Sequence, residues 1–92
     1  MKFRVAIASP LRSYCDGADA VTVTCVAASP KLSDLLAGLD AAYPGIRFRM
    51  LDEQGKLRPH IKIFVNADIE RDLRAPLPPA ADVMIVAALS GG

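Results

Sequence analysis

The apolar segment Val83–Leu89, close to the end of this 92-residue chain, constrains the fold more than any other feature. The segment is rich in β-branched and aliphatic residues and has no polar side chain at alternate positions, a pattern typical of a strand that is buried on both faces. Such a strand is most simply placed in the middle of a sheet. We therefore predict that the domain is built around a central final strand.

Two glycines follow this segment at the end of the sequence. Ser90, Gly91 and Gly92 have no bulky side chain, and we expect them to project as a mobile peptide that ends in a free carboxylate. A second protein could thread such an end through a narrow channel, which a Cβ atom would obstruct. A carboxylate is a poor electrophile, so activation by ATP as an acyl-adenylate is the natural first step, and a sulfur or amine nucleophile could then displace AMP.

Length and composition exclude several classes of protein. A chain of 92 residues allows one small domain, and its apolar run is far shorter than the roughly 18 residues that a membrane span requires. The net charge of +1 gives no general attraction to nucleic acid. Cys15 and Cys25 have the spacing of neither a redox motif nor a metal site. We predict a cytoplasmic protein with no metal, no bound cofactor, no membrane partner and no nucleic-acid partner.

The first half of the chain predicts a hairpin followed by a helix. Apolar and polar residues alternate over Lys2–Ala8 and again over Val21–Cys25, as expected for two strands with one buried face each. Leucines then recur at helical spacing over Leu32–Tyr43. Ser29 is the predicted N-cap, because a proline at the first helical position follows it.

The second half predicts three further segments of the sheet or its connections. Ile46–Met50 alternates apolar and basic residues up to a polar turn and is interpreted as a strand, and Leu57–Asn66 as another. In the second of these, Ile61, Ile63 and Val65 form the core face, and His60, Lys62 and Phe64 the opposite face. Ala67–Leu73 is polar and irregular, with room for one helical turn.

This order of elements predicts an α+β fold of the β-grasp, or ubiquitin-like, type: a mixed sheet of about five strands covered by one main helix. A ferredoxin-like sandwich would also fit part of the pattern, but it requires two helices, and the sequence offers one convincing helix. We assign residues 1–89 to the β-grasp domain and residues 90–92 to a flexible Ser-Gly-Gly tail.

The chain closely resembles the MoaD/ThiS family of ubiquitin-like sulfur carriers, the group that includes the small subunit of molybdopterin synthase. The segments that carry the resemblance are the helix Leu32–Tyr43, the segment Leu57–Asn66 with its Phe-Val-Asn end, and the tail Asp82–Gly92. The chain departs from the family just before the glycines, where many family tails have proline and alanine but this one reads Ala87-Ala88-Leu89-Ser90.

The resemblance implies a carrier rather than an enzyme. Gly92, preceded by Gly91, would be adenylated by an E1-like enzyme that uses ATP and magnesium, and would then receive sulfur from a donor protein as a thiocarboxylate. That group would supply sulfur to an acceptor synthase that makes molybdopterin, cysteine or a related product. No set of residues in the sequence supports independent catalysis.

Partner binding requires more than the tail, since ordering each flexible residue costs about 1–2 kcal/mol. We predict contacts from Leu89 and Ser90 and from a second surface with an apolar centre, Phe64, and a cationic rim of Arg47, Arg49 and Lys62. The alternative function is a ubiquitin-like modifier joined through Gly92 to lysines of target proteins. A non-covalent interaction domain is a third possibility.

Overall fold

The computed structural model describes residues 1–87. Its elements in chain order are β1 (Lys2–Ile7), a 3₁₀ helix (Ser9–Cys15), β2 (Ala20–Thr24), α1 (Leu32–Ala42), α2 (Ile46–Met50), β3 (Ile61–Val65), β4 (Asp68–Ile69) and β5 (Asp82–Ala87). None of the helices within these residues is long and apolar enough to cross a membrane.

The five strands form one mixed sheet in the order β2-β1-β5-β3-β4. β1 pairs with β2 as an antiparallel hairpin and with β5 as a parallel neighbour. β3 is antiparallel to both β5 and β4. The predicted hairpin and the predicted central position of the final strand are therefore confirmed, as is the β-grasp class.

The main helix α1 supplies one wall of the hydrophobic core. Its leucines at positions 32, 35, 36 and 39 are fully buried, which confirms the apolar stripe. They belong to a single cluster with the inward side chains of the sheet, among them Phe3, Val5, Val23, Ile63, Val83 and Ile85. α1 comes so close to β2 that a Cβ atom on Gly38 would lie 2.9 Å from Cγ1 of Val23. The core thus fills the space between α1 and one face of the sheet.

The start of α1 differs from the sequence prediction. The N-cap is Lys31, not Ser29, and the backbone N–H of Lys31 donates to Oδ2 of Asp34 at 2.8 Å. The preceding residue, Pro30, accepts a hydrogen bond from the N–H of Leu77 at 2.9 Å. Because this contact with a distant part of the chain keeps Pro30 outside the helix, the serine signal is not used.

The predicted strand Ile46–Met50 is wrong, because this segment is the helix α2. In a strand the apolar residues Ile46, Phe48 and Met50 would share one face. In the helix Ile46 and Met50 lie one turn apart and are fully buried, whereas Phe48 points away from them and is 75% exposed. The alternation over five residues fits a strand, but it is too short to exclude a helix that buries Ile46 and Met50 and exposes Phe48.

A carboxylate from α1 holds the first turn of α2. Oδ1 of Asp40 accepts hydrogen bonds from the backbone N–H groups of Gly45 at 3.1 Å and Arg47 at 3.0 Å. Gly45 has a φ of 102°, a conformation that favours glycine, and it lies in the turn between the two helices. Asp40 therefore satisfies N–H groups that have no partner inside the helix.

Replacement of Asp40 by alanine is expected to lower the free energy of unfolding by about 1–2 kcal/mol, because two backbone donors lose a charged acceptor. Urea denaturation followed by circular dichroism measures the change. The matched control is Asp40→Asn, which keeps an oxygen acceptor and should recover part of the loss. Equal stability of the alanine variant and the original chain would contradict this role for Asp40.

The strand β3 begins at Ile61 rather than at the predicted Leu57. Leu57 instead forms an isolated bridge with Leu51, directly after α2. The irregular segment predicted after Asn66 contains the short strand β4, which returns along β3. Asn66 and Ala67 make this turn with positive φ values of 50° and 73°.

Candidate functional site

The central strand β5 is the element that leads to the predicted reactive end. It lies between β1 and β3, and Ile85 is paired with Ile7 on one side and with Ile63 on the other. The N–H of Ala8 also donates to the carbonyl of Ile85 at 2.9 Å. The last described residues of the chain are therefore held by hydrogen bonds from both neighbouring strands.

The predicted reactive residues Gly91 and Gly92, and the predicted contact residues Leu89 and Ser90, lie outside the described residues. β5 itself ends at Ala87, which pairs with Ile61 at the start of β3. Within the described residues, the candidate site therefore consists of the sheet around β5.

Burial of β5 on both faces, predicted from its composition, is wrong. Val83 and Ile85 face the core and are buried, but Met84 is 49% exposed and Val86 is half-buried. α1 and α2 pack on the core side, and within residues 1–87 no helix covers the other side. The outward face of β5 thus contributes apolar side chains to an open surface.

This open surface, which we call the outer face, has an apolar band across its strands. Phe64 on β3 pairs with Met84 on β5 and with Ile69 on β4. Phe64 is half-buried, whereas Met84 and Ile69 are about half exposed, at 49% and 53%. The sequence therefore placed Phe64 correctly, opposite the core residues Ile61 and Ile63.

Charged side chains border the apolar band. Lys62 is exposed beside Val86, and Arg4 is exposed opposite Asp82. A depression of about 510 Å³ lies at this point and is lined by residues that include Arg4, Phe64, Asn66 and Met84. The outer face therefore has an apolar centre with both basic and acidic groups around it.

Arg47 and Arg49 do not lie on the outer face, so the predicted single surface with Phe64 and Lys62 is wrong. Both arginines belong to α2, whose main contacts are with α1 and the 3₁₀ helix. Arg49 lies over the ring of Tyr14, 5.4 Å from its centroid, and its Nε donates to the Tyr14 hydroxyl. This displacement follows directly from the wrong strand assignment of residues 46–50. The predicted role of both arginines in partner binding stays a prediction.

Both cysteines lie in the hydrophobic core. Cys15 and Cys25 are both buried and free. Burial raises the pKa of each thiol, and the nearby carboxylates of Asp16 and Asp34 raise the respective values further. A thiol with a raised pKa forms little nucleophilic thiolate at neutral pH. Among the described residues, no group of three or more histidine, cysteine, aspartate or glutamate side chains could hold a metal ion.

Comparison with known proteins gives structural matches only. No family model and no curated protein sequence matches the chain. Among solved structures, SAMP1 from Haloferax volcanii superposes with a TM-score of 0.85 at 22% identity, over 100% of both chains. The chain has a ubiquitin-like fold.

Two further structures with this ubiquitin-like fold contain CysO. The Mycobacterium tuberculosis CysO, described as an antigen, matches at a TM-score of 0.79 and 27% identity, over 95% of this chain and 99% of that one. The Amycolatopsis orientalis BexX/CysO complex matches at a TM-score of 0.83 and 22% identity, over 98% and 99%. The resemblance to ubiquitin-like carriers that was noted from the sequence is confirmed in the fold.

Proposed function

We propose that this ubiquitin-like domain is a sulfur carrier whose reactive group is the carboxyl group of Gly92. The observation that supports the proposal best is the placement of β5. This strand is central in the sheet, is bonded on both sides, and ends five residues before Gly92. A firmly held strand fixes the position of Ala87 relative to a docked enzyme, and only five residues lead from there to the carboxylate.

The proposed chemistry has two steps, both carried out by partner proteins. In the first, a carboxylate oxygen of Gly92 attacks the α-phosphorus of ATP in an E1-like enzyme that uses magnesium, and pyrophosphate leaves. In the second, a sulfide equivalent from a sulfur donor protein attacks the acyl carbon. The C–S bond forms as the bond to the AMP oxygen breaks, which leaves a thiocarboxylate that an acceptor synthase can consume.

Intact-mass spectrometry tests this proposal directly. The chain is incubated with an E1-like enzyme, ATP, magnesium and a sulfide source, and the expected product is heavier by the difference between one sulfur and one oxygen atom. An unmodified mass, in a reaction where the same enzyme loads its own known carrier, would contradict the proposal.

A second candidate function is protein modification through the same carboxyl group. The structural match to the small archaeal modifier protein 1 favours it. In this case the amine of a target lysine attacks the activated carboxyl group and forms an isopeptide bond. Conjugates of higher mass that survive reducing agent, detected in cell extract with an antibody to this chain, would support modification over sulfur carriage.

We further propose that the outer face is the surface that docks the activating enzyme. Phe64, Met84 and Ile69 give this face a contiguous apolar centre, and Lys62 and Arg4 supply charge at its border. Interface hot spots are commonly aromatic groups at the centre of such a patch. The face includes Met84 on β5, three residues before Ala87, so an enzyme bound here would lie along the strand that leads to the proposed reactive end.

Replacement of Phe64 by alanine is expected to weaken binding to the E1-like enzyme by more than about 1 kcal/mol, because the ring is at the centre of the apolar band. Titration calorimetry measures the binding, and urea denaturation shows whether the variant is folded. The control is Thr24→Ala, which changes an exposed side chain at the end of β2, at the far edge of the same sheet. If the binding of the Phe64→Ala variant falls only by the fraction of the variant that is unfolded, docking through Phe64 is contradicted.

A further inference from the structure

The β2 edge of the sheet has backbone groups that no other part of residues 1–87 uses. β2 is the first strand in the order β2-β1-β5-β3-β4, so it has a neighbour on one side. The N–H of Ile7 donates to the carbonyl of Asp19 at 2.8 Å, so the odd-numbered residues of β2 bond to β1. In an antiparallel pair the residues between them point the other way. The N–H and C=O groups of Ala20 and Thr22 therefore face outwards, and no hydrogen bond within residues 1–87 reaches them.

The opposite edge of the sheet is protected. β4 has two residues, one of them Asp68, and Glu70 follows it closely. Short length and charged side chains are common features that prevent an edge from pairing with another chain. β2 has neither, because it is five residues long and consists of alanine, valine and threonine. Within the described sheet, β2 is thus the edge that can accept a further strand.

A groove continues the β2 edge beyond the end of the strand. It has a volume of about 280 Å³, lies between the segment after β2 and α1, and its lining includes Val26, Ala27, Ala37 and Gly38. Val26 is a fully exposed valine, and Ala37 is exposed on α1. A segment that paired with β2 would reach this groove with its next side chains. The groove therefore offers apolar contact area beside the unpaired backbone.

The groove also favours one sign of charge. Among the described residues, Asp34 on α1 is the one charged residue in its lining, and no ion pair within residues 1–87 involves this carboxylate. Its Oδ2 accepts the backbone N–H of Lys31 at 2.8 Å, which holds the carboxylate at the start of α1. Lys2 and Arg4 lie one strand further in, on the exposed side of β1. A basic side chain in the groove would therefore meet an unpaired carboxylate.

A second copy of the chain is a poor occupant of this edge. α1 packs against β2 on the core side of the sheet. Two β2 strands that paired edge to edge would place two copies of α1 over strands about 4.8 Å apart. The axes of packed helices need about 8–10 Å between them. A segment without a helix above it has no such conflict, so the edge fits an extended peptide.

We infer that the β2 edge binds an extended segment of a partner protein as an additional strand. Backbone hydrogen bonds to Ala20 and Thr22 supply part of the affinity, and side chains at alternate positions supply specificity. Since alternate residues of a strand share one face, the segment carries an apolar side chain against Val26 and Ala37 and, two positions away, a basic side chain for Asp34. The apolar band of the outer face lies on β3, β4 and β5, so both surfaces can be occupied together.

Hydrogen exchange of the ¹⁵N-labelled full chain tests this inference. The probe is a short peptide in which threonine alternates first with valine and then with lysine. In the free chain the amide of Thr22 should exchange faster than those of Val21 and Val23, which face β1. With the peptide at ten times its dissociation constant, exchange at Thr22 should slow by about tenfold.

Two N-methylated forms of the peptide show whether the contact is strand pairing. Methyl groups on alternate amides remove the donors from one edge of the peptide. The form methylated on the edge that faces β2 should fail to protect Thr22, and the form methylated on the opposite edge should bind like the unmodified peptide. A peptide with glutamate in place of lysine should bind severalfold more weakly, because it places a second carboxylate beside Asp34.

Substitutions in the chain give the complementary test. Thr22→Pro removes the outward N–H but no hydrogen bond to β1, a change that edge strands tolerate, and it should weaken peptide binding by about tenfold or more. The conservative variant Thr22→Val keeps the N–H and should retain binding. Asp34→Asn keeps an acceptor for Lys31 and should weaken binding severalfold, with a smaller dependence on salt. If Thr22→Pro does not fold, the comparison of the two N-methylated peptides still decides.

Several results would overturn the inference. One is unchanged exchange at Thr22 at millimolar peptide, and another is equal binding by the two N-methylated forms. A response at Phe64 and Met84 in place of residues 20–38 would move the peptide to the outer face. Shifts that depend on the concentration of the chain alone would assign the edge to a second copy. None of these outcomes depends on whether Gly92 accepts sulfur.

Discussion

A chain that lacks Gly91 and Gly92 should be neither adenylated nor converted to a thiocarboxylate. The proposed reaction takes place at the carboxyl group of Gly92, and the shortened chain ends in Ser90, whose side chain would obstruct a channel shaped for glycine. The thermal unfolding of the shortened chain should be nearly unchanged. Within residues 1–87 the members of the hydrophobic core lie between Phe3 and Ile85, so the deletion removes none of that buried apolar area.

A point variant makes this test stricter. Gly92→Ala keeps the length of the chain and its terminal carboxylate but adds one methyl group, so it should be loaded more slowly than the original chain. Intact mass measured over time gives both rates. If the shortened chain gained sulfur at the same rate, the reactive group would have to lie elsewhere, and the carrier proposal would fail.

Replacement of Ile85 by alanine should lower the free energy of unfolding by about 2–5 kcal/mol, the range for truncation of a large aliphatic side chain in a packed core. Ile85 is fully buried in the middle of the central strand, with Ile7 and Ile63 as its pairing partners. Because small domains are stable by only about 5–15 kcal/mol, this change would remove a large part of the total.

The neighbouring residue on the same strand provides the control. Met84 differs from Ile85 in facing outwards, where it is 49% exposed, so Met84→Ala should cost much less stability. Urea denaturation of the two variants side by side measures the difference. Similar losses for both would mean that the outer face is covered in solution, for example by a second copy of the chain.

Much of the fold could be predicted because the long elements have unambiguous patterns. The alternation in β1 and the leucine stripe of α1 extend over enough residues to separate a period of 2 from a period of 3.6. β2 is only five residues long, but its valines and threonines are β-branched and favour a strand. The central place of β5 followed from its continuous apolar sequence. These elements alone define a sheet covered by a helix.

The error at residues 46–50 has a physical cause that the local sequence does not contain. Five alternating residues fit a strand best, but they are too few to exclude a short helix that buries its first and last members and exposes the middle one. The helix is selected by Asp40, which binds N–H groups five and seven positions further along the chain. A contact between two elements thus outweighed the local pattern.

The candidate site was predicted only in part, because the assignment of each segment to a strand or a helix decides which side chains share a surface. Phe64 and Lys62 lie on the outer face because their parity is fixed by Ile61 and Ile63, which are fully buried. Arg47 and Arg49 were assigned to that face only through the wrong strand, and with them Phe48 was assigned to the core. The exposed Phe48 could not be found from its residue type, since an aromatic side chain at an alternating position usually indicates burial.

The arrangement of β1 and β5 also determines how the domain resists force. The two strands run parallel and side by side, with Arg4 opposite Asp82 and Ile7 opposite Ile85. If the chain is pulled at its beginning and beyond Ala87, the load acts along these strands and across the hydrogen bonds between them. The bonds must then be sheared together, not opened one after another. An unfolding enzyme that pulls on the C-terminal side of Ala87 would therefore meet the greatest mechanical resistance at β5, the first strand that it reaches.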